Sequence, residues 1–325
     1  MQLPATRAGV AARVHATASG PSLSFELYPP RTPRGTVALR GTVGRLAAVG
    51  PDFFSVTYGA SGSSRETSRA VVQWILAQTP VTAVAHLTCI GSPRHEVRAV
   101  AEALIRDGVR DFLAIRGDPP AGVADWRPHP AGLRRGSDLV ELLRELEVEL
   151  GEPLSIGVAA TPSALPATGP AVGEDIAALL AKQQVGADFA ITQVFFEVGS
   201  YVRYRDAARA AGVTIPLLPG VVPLTDPARL LRLQELSGVT VPPSVLARLD
   251  AEADPARRHE LGTTLGVELV NQVLDAGAPG LHLYTFNQHT ATLDLLEGAN
   301  LGGRGRSAPD PAGRPQVTAP LDKKG

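Results

Sequence analysis

Glu26 is the residue of this sequence whose surroundings most clearly predict chemistry. It lies between Phe25 and Leu27 in the strand-like run SLSFEL. A carboxylate in a central strand is costly to bury unless it is paired or functional. In apolar surroundings its pKa rises, and the carboxyl group can then serve as a general acid near neutral pH. The alternative is a salt bridge inside the fold, to Arg116 or another base.

Other polar side chains stand where further β-rich apolar runs end. They are Thr57, Tyr58, His86, Thr88, Arg116, Asp118, Thr192, Gln193, His282, Tyr284 and Asn287, with Gly59, Gly117, Phe195 and Phe196 beside them. Asp118 is equally explained by a Gly-Asp-Pro turn, and Gln193 by backbone contacts or by the edge of a heterocycle. His86 in an apolar strand is more often a core histidine than a ligand. No His, Cys, Asp and Glu spacing indicates a metal site, and no G-x-S-x-G motif is present.

Strand-like and helix-like runs alternate along the chain and would bring these strand ends together. The eight predicted strands cover residues 22–27, 53–57, 82–89, 111–115, 154–159, 189–194, 215–218 and 281–285. Eight βα units predict an α/β fold with a closed (β/α)8 barrel, whose active site lies at the carboxyl ends of the strands. A doubly wound open sheet is the alternative. It would require a glycine-rich turn after the first strand, where Tyr28-Pro29-Pro30 stands instead.

Composition and the chain ends set the remaining expectations. We predict a flexible N-terminal tail over residues 1–20, one barrel domain over 21–300 and a disordered C-terminal tail over 301–325. The formal net charge of −1 does not favour a nucleic-acid or anionic-membrane partner, and no apolar run approaches ~20 residues. The single cysteine, Cys89, excludes an intramolecular disulfide and fits a cytoplasmic protein. We predict that Cys89 is a small buried hydrophobic residue.

Six motifs, taken in order, resemble the methylenetetrahydrofolate reductase family. They are SFELYPPRT, DFFSVTYGASGSSRETS, AHLTCIG, AIRGDPP, GADFAITQVFFEVGSYVRYRDAARAAGVTIPLLPGVVPLT and APGLHLYTFN, and they span roughly residues 22–301. The resemblance implies a (β/α)8 barrel that reduces 5,10-methylenetetrahydrofolate to 5-methyltetrahydrofolate. It also implies NAD(P)H as electron donor, ordinarily through bound FAD, and a function in one-carbon metabolism that supplies methionine synthesis.

The resemblance assigns expected roles to individual residues. Glu26 matches the acid that opens the methylene bridge, and Asp118 matches an aspartate near both flavin and pterin. Gln193 matches a glutamine that contacts folate, and Phe195 is expected to offer an aromatic surface to folate or nicotinamide. The expected cofactor-binding positions are Thr57, His86, Arg116, Gly117, Asp118, Gly136, Thr161, Asp175 and Lys182.

The sequence departs from the family pattern chiefly around the flavin. Arg135 and Gly136 replace a Tyr-Ala pair, Thr161 replaces an aromatic residue, and Leu165 replaces a histidine. Gln288 stands where the family has an arginine near bound substrate or nicotinamide. Two alternatives follow: FAD binds through altered contacts, or hydride passes directly from NAD(P)H to the folate.

Other functions, and the assembly, stay open at this stage. A folate-binding homologue without turnover is the main alternative, because flavin contacts are lost while Glu26 and Asp118 are retained. Another pterin-binding barrel, such as a methyltransferase partner, is disfavoured by the lack of cobalamin or zinc ligands. Members of the family commonly assemble, so the resemblance leaves open a homo-oligomer.

Overall fold

Eight parallel strands form a closed barrel in the order β1 to β8, and β8 pairs with β1. The computed structural model describes residues 9–16, 20–58, 62–118, 126–162 and 173–302. The strands are β1 (Ser22–Leu27), β2 (Phe53–Val56), β3 (Thr82–Thr88), β4 (Asp111–Ile115), β5 (Ser155–Ala160), β6 (Phe189–Val194), β7 (Leu217–Val221) and β8 (Gly280–Tyr284). The predicted (β/α)8 barrel is therefore confirmed. The residues beyond 302, and with them most of the predicted C-terminal tail, lie outside the described ranges.

Helices follow the strands and cover the outside of the barrel, except for α1, which precedes β1. They are α1 (Val10–His15), α2 (Pro33–Ala47), α3 (Gly62–Gln78), α4 (Arg94–Arg106), α5 (Gly136–Leu150), α6 (Glu174–Gln184), α7 (Val198–Ala210), α8 (Pro227–Ser237), α9 (Pro243–Ala251), α10 (Pro255–Asp275) and α11 (Thr290–Gly298). In the part of the chain that the structure describes, no helix is both long and apolar enough to cross a membrane.

Helices α2 and α8 each begin with a capping residue followed by proline. Thr32 precedes Pro33 at the start of α2, and its hydroxyl accepts a hydrogen bond from the Gly35 amide at 3.1 Å. Asp226 and Pro227 start α8 in the same way. Proline fits the first turn because a backbone N–H at this position would have no carbonyl partner within the helix. These caps fix where α2 begins after β1 and where α8 begins after β7.

The inside of the barrel is filled by side chains from several strands. Phe53, Phe189 and Leu218 are fully buried there, and the Phe53 and Phe189 rings lie 6.1 Å apart. A second, larger hydrophobic core lies between the outer faces of the strands and the helices. Because successive strand residues face opposite sides, each strand contributes to both cores.

The N-terminal segment departs from the predicted flexible tail over residues 1–20. The short helix α1 lies against the amino ends of the strands, where Val10 and Val14 are buried in the inner core. The Val10 amide donates to Asp111 Oδ1 at 2.7 Å, and the Ala11 amide donates to Ser155 Oγ at 2.8 Å. Asp111 and Ser155 begin β4 and β5. The prediction is therefore wrong for Val10–His15, which closes the amino end of the barrel.

Strand β7 also departs from its predicted range of residues 215–218. The observed strand extends through Pro219 and Gly220, which sequence reasoning treats as strand breakers. The Gly220 amide donates to Thr192 Oγ1 at 2.8 Å. A Cβ at position 220 would lie 2.3 Å from the Thr192 carbonyl oxygen and 2.7 Å from Cε2 of Tyr284. Glycine is required here because strand β6 and the Tyr284 ring approach this close.

Candidate active site

Glu26 lies near the carboxyl end of β1 and is surrounded by polar side chains from three other strand ends. Its Oε1 is 3.2 Å from the Thr57 hydroxyl, a donor that also faces the Leu27 carbonyl at 3.2 Å. Its Oε2 is 3.6 Å from Nε2 of His282 and 3.9 Å from Nε2 of His86. The bases beside the carboxylate are therefore histidines, whereas Arg116 donates to the carbonyl of its neighbour Gly117.

The pKa of Glu26 is lowered rather than raised. Burial acts to raise it, but hydrogen bonding to His282, the positive charges that His86 and His282 can carry, and the Thr57 hydroxyl together outweigh burial. The expectation of a raised pKa assumed apolar surroundings, and the two imidazoles overturn that assumption. Glu26 retains 22% side-chain exposure, which leaves one side of the carboxylate accessible from the barrel mouth.

His282 is a fully buried partner of Glu26, and its ring is fixed on both edges. Nδ1 lies 2.8 Å from Ser24 Oγ, and Nε2 lies 3.3 Å from Ser55 Oγ. Ser24 Oγ also donates to the Leu281 carbonyl, and each ring nitrogen of His282 has a serine hydroxyl as its partner. The ring also stacks on Phe53 with centroids 5.9 Å apart. Sequence reasoning noted His282 only as a strand-end residue, although its alternation with Leu281 and Leu283 places it on the inner face.

His86 is 3% exposed, and its Nε2 has no hydrogen-bond partner among the described residues. Burial lowers its pKa to about 4, although the charge of Glu26 acts in the opposite direction. His86 is therefore a neutral imidazole at pH 7. A buried ring nitrogen without a partner is costly, so this atom is a place where a ligand could supply the missing contact.

Tyr284 is close enough to Glu26 to feel its charge, and Gln193 is partly buried near the end of β6. The Tyr284 hydroxyl donates to the Thr192 carbonyl at 3.0 Å, and burial raises the pKa of the phenol well above 10. The Gln193 carbonyl oxygen accepts the Val194 amide at 2.9 Å. The side-chain NH2 of Gln193 is the end of the amide that remains to donate.

A turn at the end of β4 presents Asp118 at the mouth of the barrel. Gly117 has a φ of +85°, and a Cβ there would lie 2.8 Å from Cγ2 of Ile90. Only glycine combines that backbone conformation with so close a neighbour. Asp118 is exposed and is the last described residue before the gap at 119–125.

Phe195 does not face the site. It is 2% exposed and stacks on Tyr201 of α7, with ring centroids 5.8 Å apart. The expectation that Phe195 offers an aromatic surface to a ligand is therefore wrong. Phe196 instead packs with Tyr284 and Phe286 in a hydrophobic cluster that includes the residues after β7.

Gln288 lines a separate cavity of about 410 Å³. This rim cavity lies between the segments that follow β7 and β8 and the start of α10. Its walls include Asp226, Arg229, Arg258, His259, Gln288 and Thr290. Glu26 is not one of its lining residues, so the rim cavity and the Glu26 cluster are two distinct parts of the same end of the barrel.

Cys89 has the environment predicted for it. Its side chain is fully buried, and burial raises the pKa of the thiol to about 11. A thiol with so high a pKa is a poor nucleophile at neutral pH. No group of three or more His, Cys, Asp and Glu side chains within the described ranges is placed to hold a metal ion.

Comparison with known proteins establishes the family. The family model described as methylenetetrahydrofolate reductase matches residues 12–300. The chain belongs to the methylenetetrahydrofolate reductase family. It is 32% identical over 268 residues to 5,10-methylenetetrahydrofolate reductase of Escherichia coli (strain K12), covering 82% of this chain and 86% of that protein. These relatives support methylenetetrahydrofolate reduction as the activity.

Two further comparisons extend the likeness. Methylenetetrahydrofolate reductase (NADH) 1 of Zea mays is 31% identical over 290 residues, which cover 86% of this chain and 48% of that protein. A solved protein from Clostridium thermocellum that binds two copies of 5-methyl-5,6,7,8-tetrahydrofolic acid superposes with a TM-score of 0.58. At 13% identity over 87% of this chain and 94% of that one, it supports the fold alone.

Four of the positions expected to hold the family's flavin lie near the ends of β4 and β5, namely Arg116, Gly136, Asp175 and Lys182. The other expected positions Thr57 and His86 lie beside Glu26 instead. Lys182 Nζ donates to the Ala159 carbonyl at 2.8 Å. Burial lowers the pKa of Lys182, the charge of Asp175 opposes that shift, and Arg116 adds to it. A Cβ at Gly136 would lie 3.2 Å from Cε of Lys182, so this glycine leaves room for the lysine stem.

These side chains do not complete a flavin site within the described residues. Lys182 and Arg116 each donate to one backbone carbonyl and keep further N–H donors for a phosphate, so the misfit concerns the flavin ring. Thr161 offers no aromatic face for an isoalloxazine ring. Leu165, the other departure from the family pattern, lies in the segment 163–172 outside the described ranges.

Proposed function

We propose that this enzyme reduces 5,10-methylenetetrahydrofolate to 5-methyltetrahydrofolate with NAD(P)H, in the one-carbon metabolism that supplies methionine synthesis. The observation that carries the proposal is the Glu26 carboxylate, accessible at the barrel mouth and set between Thr57, His86 and His282. A carboxyl group among groups that can share its proton is suited to protonating a bound substrate. Family membership supplies the substrate class.

The proposed reaction has one proton transfer and one hydride transfer. Glu26 protonates N10 of the folate, the bond from N10 to the bridging methylene carbon breaks, and an iminium forms at N5. Hydride from NAD(P)H then reduces the methylene carbon to a methyl group, which leaves NAD(P)+. The sum consumes one substrate, one NAD(P)H and one proton.

Substrate binding is the step that would load the proton on Glu26. In the free enzyme the imidazoles hold the pKa of this carboxyl low. A pterin lying on its exposed side would displace water, which disfavours the charged carboxylate and raises its pKa. Glu26 therefore becomes a competent acid only when the substrate covers it.

Asp118 and Gln193 are proposed to orient the substrate and stabilise its cation. Asp118 lies at the mouth and can face the iminium that develops at N5, where a carboxylate favours positive charge. The side-chain oxygen of Gln193 already accepts the Val194 amide. The side-chain NH2 of Gln193 therefore remains to donate to an acceptor on the pterin edge. Tyr284 stays neutral, because burial raises the pKa of its phenol well above 10.

For the hydride donor, the described residues favour direct transfer from NAD(P)H over transfer through FAD. The support is the threonine at position 161, which offers no aromatic face to a flavin ring. Absorbance of the purified protein separates the two alternatives. A preparation that is active and lacks the flavin bands supports direct transfer, and stoichiometric flavin contradicts it.

The proposed function is tested by assaying the purified protein with methylenetetrahydrofolate and either NADH or NADPH. We expect nucleotide oxidation that depends on the folate and yields one equivalent of 5-methyltetrahydrofolate for each nucleotide oxidised. Binding of folate without any oxidation would instead identify a non-catalytic homologue, and the proposal would be wrong.

A further inference from the structure

The rim cavity combines a recess with guanidinium groups that differ from ordinary surface arginines. Arg258, at the start of α10, is partly buried, and its Nε and one terminal amino group donate to the carbonyl oxygens of Leu249 and Glu252 at 2.7–3.0 Å. It forms no ion pair with a carboxylate among the described residues. A cation held rigidly by backbone carbonyls keeps its charge available to a ligand.

Arg229 is the second cation of the rim cavity, and Asp226 fixes its direction. Asp226 Oδ2 lies 3.0 Å from Arg229 Nε in an ion pair, while its Oδ1 accepts a hydrogen bond from the Arg229 amide. Both oxygens of this carboxylate are therefore used to hold Arg229. Contact through Nε leaves the outer edge of the guanidinium, with its terminal amino groups, to face the cavity.

Gln288 lies in the wall of the same cavity. The family motif has an arginine at this position, and here the side chain is neutral. Within one cavity the chain thus lacks the expected cation on the β8 side and carries cations on α8 and α10. Three helices, α8, α10 and α11, also begin at the wall, at Pro227, Pro255 and Thr290. Asp226 and Asp254 already cap α8 and α10, so of these three it is α11, without a side-chain cap, whose amino end is left to favour an anion.

We propose that the rim cavity binds the glutamyl carboxylates of the folate, with Arg229 and Arg258 supplying the positive charge that Gln288 lacks. This inference rests on the proposed function and adds a binding site to it. A planar guanidinium matches a carboxylate with two parallel hydrogen bonds. Gln288 contributes an amide that can hydrogen-bond the same group.

The other anion of the reaction, the nucleotide phosphate, has a different place in the barrel. The cations expected to meet a cofactor phosphate, Arg116 and Lys182, lie at the ends of β4 and β5. The rim cavity lies beyond β7 and β8, and β8 is the direct neighbour of the Glu26 strand. A folate whose methylene bridge lies at Glu26 therefore has the rim cavity next to it, and the Arg116 and Lys182 side chains lie farther round the barrel.

The test is equilibrium binding by calorimetry, which does not require turnover. The ligands are 5-methyltetrahydrofolate and its analogue without glutamate, 5-methyltetrahydropteroate, and NAD(P)H is titrated separately. The variants are Arg229→Gln, the matched control Arg232→Gln, and the double variant Arg229→Gln with Gln288→Arg. Arg232 is also on α8 and also forms an ion pair three residues along the helix, with Glu235, but it does not line the cavity.

We expect Arg229→Gln to raise the Kd for 5-methyltetrahydrofolate about 10-fold, the loss of roughly one charge-assisted hydrogen bond. The Kd values for the pteroate analogue and for NAD(P)H stay unchanged. Arg232→Gln has no effect, and Gln288→Arg in the Arg229→Gln background restores most of the affinity because it returns a cation to the same cavity.

Three results would overturn the inference. They are an equal loss for folate and pteroate, a loss confined to NAD(P)H, and no binding of either folate ligand by the unaltered protein. The expected binding pattern in a protein that oxidises no nucleotide would instead refute the proposed reduction and leave the carboxylate site standing.

Discussion

At the scale of single residues, the sequence identifies the acid but not its partners. Glu26 stands out because it is a carboxylate within an apolar strand. His86 and His282 come from β3 and β8, and no local pattern predicts that both imidazoles approach the same oxygen. The pKa of Glu26 depends on that approach, so its direction could not be predicted from residue 26 and its neighbours in the chain.

The buried neutral state of His86 predicts a pH-dependent stability. Its pKa is about 4 when folded, against 6.5 in an unperturbed chain. Below pH 6.5 the unfolded chain binds a proton that the folded protein does not, so this contribution to stability is full above 6.5 and is lost as pH falls toward 4. Between pH 7 and pH 5 the loss is about 2 kcal/mol in the free energy of unfolding.

Urea unfolding of the unaltered protein and of His86→Gln at both pH values measures this term. We expect the variant to lose about 2 kcal/mol less than the unaltered protein on going from pH 7 to pH 5. His95→Gln is the control, because His95 is exposed on α4. Equal pH dependence in the unaltered protein and His86→Gln would show that His86 is not held neutral.

At the scale of elements, most strands could be predicted and β7 could not. Strands β1, β4 and β6 have the predicted bounds, and turn-forming residues follow two of them, Tyr28-Pro29-Pro30 after β1 and Arg116-Gly117 after β4. Strand β7 contains Pro219 and Gly220, and its start and end both move toward the carboxyl side of the prediction. Contacts with Thr192 and Tyr284, which lie on other strands, are what make a glycine favourable there.

Gly220→Ala is expected to lower the free energy of unfolding by about 3 kcal/mol. The added Cβ would meet the Thr192 carbonyl and the Tyr284 ring, neither of which can move without disturbing β6 or the site wall. Gly44→Ala on α2 is the matched control. No atom lies within 4 Å of its added Cβ, and alanine should stabilise that helix by about 0.5–1 kcal/mol.

Thermal and urea unfolding of the two alanine variants provide the comparison. Opposite signs are expected, with the Gly220→Ala protein less stable than the unaltered protein and the Gly44→Ala protein more stable. A Gly220→Ala protein as stable as the unaltered one would mean that β6 and Tyr284 do not approach β7 as closely as described.

At the scale of the whole molecule, the two ends of the barrel have different tasks. The carboxyl ends of the strands carry Glu26, His282 and the turn before Asp118, whereas the amino ends are closed by α1. The alternation of elements predicts the first arrangement, because it fixes the barrel and therefore which strand ends meet. It does not predict the second, since α1 is one short helix whose partners, Asp111 and Ser155, lie 101 and 144 residues away.

The rim cavity shows the same limit of sequence reasoning. Gln288 marks a missing charge, but Arg229 and Arg258 belong to helices in other parts of the chain. Only the closed barrel, with β7 beside β8, brings these side chains into one cavity. A compensating change of this kind is therefore visible in the fold and not in any single motif.

The account depends most directly on Glu26 as the proton donor to the bridged folate, and Glu26→Gln tests it. Glutamine keeps the size of the side chain and one accepting oxygen, but it supplies no acidic proton. We expect kcat for methylenetetrahydrofolate reduction to fall by about 10²–10⁴-fold, while the Kd for 5-methyltetrahydrofolate changes less than about threefold. Glu96→Gln, on the exposed face of α4, controls for loss of a surface carboxylate. Full activity in the Glu26→Gln protein would contradict the proposed mechanism.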